Sequence, residues 1–268
     1  EAHQWLGLDR IPGLGKEPRS GELFWVRNRQ GIAKHLKRPV PNWFAAVALP
    51  AKGQMVLAVQ SARGEYHLRS TMRHELLHHV LGGIGHNAFQ KIPSWFHEGL
   101  AEEFSGEVYL ADSGLSLSWM AMSGGLRHLS DFERDFGENA INAAEGYALG
   151  HAFVSMLVRD YGQPVIGEIL LEIHNGASLN HALIKTTGFS VITLEEQMRK
   201  DLVSFRAIAN EFYRHLITVL FLFATFLLPV VWIKKKRRRK QVEAGWELQD
   251  EESKLEEDSQ AFSPPYED

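Results

Sequence analysis

Thr71-Met72-Arg73-His74-Glu75-Leu76-Leu77-His78-His79-Val80 is the stretch from which the rest of the chain is read. It contains an HExxH motif, His74-Glu75-Leu76-Leu77-His78, in a helical setting. On a helix, positions i and i+4 lie on one face a turn apart. His74 and His78 can therefore bring two imidazole nitrogens to one metal ion while Glu75 reaches the same space. With His74 set at 0°, His78 falls at about 40° and Glu75 at about 100°, whereas Leu76 and Val80 fall at about 200° and 240°. The polar residues share one side and the leucine side packs. His79, at about 140°, reads as a helix-surface or second-sphere histidine. The helix is expected from Ser70 to Leu81, with Ser70 or Thr71 as N-cap and Gly82-Gly83 ending it. Two histidines do not complete a catalytic zinc site, which uses three protein ligands and keeps a fourth position open.

Working outward, the segment before the motif reads as short strands and turns. Leu23–Val26, Trp43–Leu49 and Gln54–Val59 are strand-like, Gln30–Leu36 reads as a short helix, and Pro50–Gly53 as a turn. After the motif, Pro93 is followed by Ser94-Trp95-Phe96-His97-Glu98-Gly99-Leu100-Ala101-Glu102-Glu103-Phe104, a helix with Phe96, Leu100 and Phe104 as its core stripe. Its acidic residues are, by spacing alone, solvated ones. Val108–Leu110 and Leu115–Trp119 read as strands or loops in a glycine-rich, substrate-shaping region. Helices are expected at Ala140–Tyr161, Val165–His174, Leu179–Lys185 and from Leu194 to about Glu211. No internal repeat, GxGxxG or Walker-type loop occurs.

The extended HExxHxxGxxH pattern fails, because Leu81 and Ile84 stand where it needs Gly and His. His74-Glu75-Leu76-Leu77-His78, followed after nineteen residues by Glu98 within Trp95-Phe96-His97-Glu98-Gly99-Leu100-Ala101-Glu102, instead resembles the gluzincin metallopeptidases, the peptidase MA-like group related to thermolysin and the zinc aminopeptidases. The resemblance covers roughly residues 20–205. It implies an α+β, zincin-like (thermolysin-type) catalytic domain with a small N-terminal sheet, an active-site helix and a helical C-terminal half. It implies Glu98 as third ligand to Zn2+ beside His74 and His78, and Glu102 as the hydrogen-bond acceptor behind His74 that orients its ring. Glu75 is then the general base for attack of zinc-bound water on a peptide bond. Tyr147 and His151, one turn apart on a later helix, are both candidates for stabilising the oxyanion; the resemblance favours Tyr147. The strand Trp43–Leu49, or Gln54–Val59, would pair with an extended peptide or protein substrate. The GxMEN segment of zinc aminopeptidases is absent, so an endopeptidase is expected.

From Leu216 to Ile233 run 18 residues without a charge, followed by seven basic residues, Lys234–Lys240. This pattern is expected to be a transmembrane helix over 213–233 with a stop-transfer run behind it, in contact with membrane lipid. By the positive-inside rule it predicts a single-pass protein of the cell membrane, with its catalytic domain extracytoplasmic (periplasmic or extracellular) and its C-terminal tail cytoplasmic. A signal peptide or preceding span before Glu1 would complete that topology. The expected organisation is thus a leader remnant over 1–20, a metallopeptidase domain over 21–212, the span, and a basic run with an acidic disordered tail over 234–268. Subtracting the −9 of residues 241–268 and the +7 of the basic run from the total of −4 leaves −2 for residues 1–233, which argues against a nucleic-acid partner. The absence of cysteine excludes disulfides and thiolate ligands. Two other functions compete with a peptidase: a catalytically silent gluzincin-like domain used for binding or assembly, and a scaffold whose acidic tail recruits a cytoplasmic partner.

Overall fold

The computed structural model describes residues 1–204 except 13, 15–19, 42–43, 62–63, 107–116 and 136–139, together with 209, 213, 216, 218 and 220–239. The chain divides into two units, Glu1–Ile208 and Ala209–Asp268. In chain order the first contains α1 (Ala2–Trp5), β1 (Glu22–Val26), α2 (Arg29–Leu36), β2 (Ala46–Leu49), β3 (Gln54–Ala58), α3 (Glu65–Leu81), α4 (His86–Phe89) and α5 (Ser94–Ser105). The second half of that unit is helical: α6 (Leu117–Met122), α7 (Phe132–Asp135), α8 (Ala140–Tyr161), α9 (Pro164–His174), α10 (Leu179–Thr187) and α11 (Val191–Leu202).

The sheet has the order β1-β3-β2, with β1 parallel and β2 antiparallel to β3. Its central strand, Met55-Val56-Leu57-Ala58, is an unbroken apolar run because both faces are covered. On one face Val56 and Ala58 pack with Ile32 of α2. On the other, Met55 and Leu57 pack with Leu68, Met72 and Leu76 of α3. β2 is left as an edge strand. The far side of α3, through Leu77, Val80 and Leu81, enters the main helical core with Trp95, Phe96 and Leu100 of α5 and Leu149, Phe153 and Leu157 of α8. The motif helix is therefore clamped between sheet and helices, which fixes the direction of its polar side.

α3 starts five residues earlier than the sequence reading places it. Its N-cap is Gly64, and both expected caps, Ser70 and Thr71, lie inside the helix, where the Thr71 hydroxyl donates to the His67 carbonyl at 2.9 Å. A hydroxyl satisfied by the preceding turn has no need to cap. Residues 1–11, read as part of a leader, contribute Leu6, Leu8 and Ile11 to the main core. Of the Leu115–Trp119 stretch, residues 117–119 are helical, in α6. Val108–Leu110 and the acidic tail lie outside the described residues.

The expectation of an α+β domain followed by one transmembrane helix is corrected on two counts. The first unit is mostly helical, with only the small three-stranded sheet. Among the described residues no helix is long and apolar enough to cross a membrane. α11 ends at Leu202 rather than running on. In the second unit the continuous described helix is 220–239, whose apolar part, 220–233, gives way to Lys234–Arg239. The expected transmembrane helix over 213–233 is overturned, and with it the single-pass cell-membrane localisation and the extracytoplasmic placement of the domain.

Candidate metal centre

His74 and His78 are one turn apart on α3, and their rings stand edge to face with centroids 4.8 Å apart. α5 crosses the same face and delivers Glu98. The three donor atoms form a nearly equilateral triangle: His74 Nε2, His78 Nε2 and Glu98 Oε2 are each 3.1 Å from the other two. All three residues are buried. A tetrahedron with zinc–ligand bonds of about 2.0–2.1 Å has edges of about 3.3–3.4 Å, so these atoms occupy three corners of such a figure closely.

The surrounding groups explain why a cation suits the triangle. Glu102, wholly buried on α5, brings its Oε1 to 3.5 Å from His74 Nδ1. A proton on that nitrogen leaves the Nε2 lone pair facing the centre, where it meets a carboxylate oxygen. Burial by itself pushes the Glu98 carboxyl up, but the neighbouring charge of His78 and the hydrogen bonds from both imidazoles outweigh it and hold it well below the usual carboxylate range. Burial lowers His74, and the Glu98 hydrogen bond and the charges of Glu98 and Glu75 more than reverse this. The residues fit a divalent ion: two imidazole nitrogens and a carboxylate oxygen, buried and converging on one point.

Glu75 lies beside the triangle rather than in it. Burial raises its carboxyl, against the lowering effect of the two imidazoles and of a hydrogen bond from the Ala48 backbone. That last contact ties the base to the outer edge of β2. The cleft, about 230 Å³, is bounded by Phe44, Ala46 and Ala48 on one side and by Tyr147 of α8 on the other. The Tyr147 ring lies 6.1 Å from that of His74. His151 goes elsewhere: its Nε2 is 3.0 Å from Glu103 Oε2 on α5.

Two histidines take places the sequence reading does not give them. His79 is buried rather than on the helix surface, against Gly21, where an added Cβ would lie 2.7 Å from the imidazole. His97 is the residue that sequence reasoning passes over. Its ring stands edge-on to His78 at 5.1 Å and stacks on Phe89 at 5.7 Å, and its Nδ1 is 3.5 Å from Glu98 Oε1. Burial lowers its pKa to about 4, against the pull of Glu98, so it stands as a neutral wall. Its position next to Glu98 in the chain was the signal available.

The three donors form the sole three-residue metal-ligand group among the described residues. No curated protein matches the chain in a sequence comparison. A family profile, that of the Peptidase MA superfamily, matches residues 25–204, from the end of β1 to just beyond α11, about two thirds of the chain. That range includes every residue of the triangle, the base and the cleft walls, and the chain belongs to the peptidase MA superfamily.

Proposed function

We propose that this chain is a zinc-dependent metallopeptidase, an endopeptidase acting on peptides or proteins. The observation that carries the reading is the convergence of His74, His78 and Glu98 beside a buried Glu75 in a cleft edged by β2. Bound there, zinc supplies a Lewis acid that polarises the scissile carbonyl and brings the pKa of a water to about 7. The chain's own residues do the rest. The outer edge of β2 pairs with the extended backbone of the substrate and aligns it along the cleft. Glu75 accepts a proton from the attacking water and passes it to the leaving amine nitrogen. A carboxyl whose pKa is raised by burial is suited to both transfers, since it holds the proton and releases it at similar cost. Tyr147 donates a hydrogen bond from its hydroxyl to the oxygen that becomes negative as the carbonyl turns tetrahedral. Glu102 keeps the His74 ring in the orientation that points Nε2 at the centre.

The test is Glu75→Gln on the purified protein, with metal content, circular dichroism and cleavage of an unbiased peptide library measured together. The peptidase reading expects loss of cleavage with fold and metal unchanged. Equal cleavage by both proteins, or none by the wild type, rejects it; the latter result with zinc bound would leave a silent binding domain.

A further inference from the structure

A second cavity, larger than the cleft, lies beside it. It has a volume of about 770 Å³ and shares two walls with the cleft, Pro50 and Phe89. Its size falls within the usual range for ligand sites, about 300–1,000 Å³.

We propose that this cavity is a specificity subsite that takes a bulky apolar side chain of the peptide substrate, a few residues from the scissile bond. The assignment rests on the peptidase reading above. Three observations carry it. First, the wall is apolar: Leu8, Leu14, Pro50, Ala51, Val80 and Phe89 line it. Its polar lining side chains are His3, His86 and Gln90, and among the described residues none is Asp, Glu, Lys or Arg. A charged side chain entering it would lose water without gaining a counter-ion. Second, the cavity lies in the path of the substrate. β2 lines the cleft with Ala46, Val47 and Ala48, and the chain then turns through Pro50–Lys52 into the cavity wall. Ala51 lies three residues after Ala48, so the two lie at most about 11 Å apart, a distance that an extended peptide spans in about three residues. Third, glycine lets two stretches of the wall meet. The end of α3 comes so close to the turn that a Cβ on Gly82 would lie 2.2 Å from Pro50 Cβ, and Gly83 and Gly85 leave their stretch of wall without side chains.

The assignment also places the N-terminal segment in the site, since Leu8 and Leu14 belong to it and the family match begins only at residue 25.

Ala51 is exposed, so replacing it tests the cavity with little risk to the fold. A positional peptide library is cleaved by the full chain as wild type, Ala51→Trp and Ala51→Asp, and the same library is selected by binding to immobilised Glu75→Gln protein with and without Ala51→Trp. Wild type is expected to favour Leu, Phe or Trp over Asp and Lys by at least about tenfold at one position two to three residues from the cut. Ala51→Trp should collapse that ratio at that position alone, and Ala51→Asp should shift it toward Lys and Arg. The bound peptides should show the same enrichment, lost with Ala51→Trp. Cleavage with an unchanged ratio in both Ala51 variants overturns the subsite and leaves the peptidase reading standing. Apolar enrichment on the Glu75→Gln protein without any cleavage by wild type overturns the peptidase reading and keeps the subsite. Neither cleavage nor enrichment overturns both.

Discussion

A methyl group on Gly99 would lie 2.2 Å from the carbonyl oxygen of Gly150, and one on Gly150 would lie 2.1 Å from the carbonyl oxygen of Trp95. α5 and α8 therefore cross backbone to backbone, at a separation that no Cβ can enter. Glu98 precedes Gly99 directly, and Tyr147 stands three residues before Gly150. The crossing sets how closely the third donor and the tyrosine approach the histidines of α3.

Gly150→Ala tests that relationship. In an open helix the change favours the folded state by about 1 kcal/mol. Here the added carbon has nowhere to go, and overpacking costs about 1–3 kcal/mol or more, so the helices must separate. Urea unfolding should show net destabilisation of about 1–2 kcal/mol, and zinc affinity should fall because Glu98 moves with α5. A Gly150→Ala protein as stable as wild type would show that the crossing is looser than these distances state.

Metal removal should be visible in stability. At a thousandfold excess over its dissociation constant, a ligand bound only by the folded state stabilises it by about 4 kcal/mol. For a domain of this size that corresponds to about 10 °C in Tm. Wild type should therefore melt lower by roughly that amount with a chelator, whereas Glu98→Gln should melt at the same temperature with and without it. Glu102→Gln should retain the metal with affinity weakened by about 10–100-fold, since it disturbs the orientation of His74 and not a donor. A chelator-insensitive wild type would remove the metal assignment.

Much of this centre was legible because its parts are local. Two donors and the base follow from i, i+1 and i+4 on one helix, and Glu98 follows from a short motif on the next. The three strands were legible for a similar reason: each is a short apolar run closed by turn residues. What was hidden depends on contacts between distant segments. Nothing near Gly150 announces that Trp95 lies 2.1 Å from where its Cβ would be. The burial of Leu6, Leu8 and Ile11 could not be read from a glycine- and proline-rich stretch whose partners lie on α3 and α9. His79 faces away from the ligand pair as its helical angle requires, but what lies there is Gly21 rather than solvent. The apolar run near the C-terminus has the composition of a span, whereas among the described residues no helix is long and apolar enough to cross a membrane.

Tyr147 and His151 share a helix face in sequence and part company in the fold. Tyr147 lines the cleft, while His151 is held by Glu103. Tyr147→Phe should lower kcat by about 10²–10³-fold with zinc content and KM little changed, the size expected for one lost oxyanion donor. His151→Ala should leave kcat within about twofold, because removing a group outside the cleft takes no stabilisation from the transition state. Normal turnover in Tyr147→Phe would dismiss the tyrosine, and a large loss in His151→Ala would reverse the assignment.

His151 should instead appear in the acid limb of stability. Its hydrogen bond to Glu103 holds that carboxyl below the usual range, against the upward effect of partial burial, with help from the charge of His151 and a hydrogen bond from Ser155. A carboxyl with a depressed folded-state pKa binds fewer protons folded than unfolded, so its contribution is complete above the unfolded value of about 4.3. It is lost as pH falls through the lower folded-state value. Since both side chains are partly exposed, the pair contributes about 1 kcal/mol at most. Unfolding free energies measured with chelator present, at about pH 6 and about pH 3.5, should fall further for wild type than for His151→Ala by up to that amount. The subtraction removes the other carboxylates, including Glu98, which titrate alike in both proteins. Parallel pH profiles for the two would mean that the Glu103–His151 contact contributes nothing in solution.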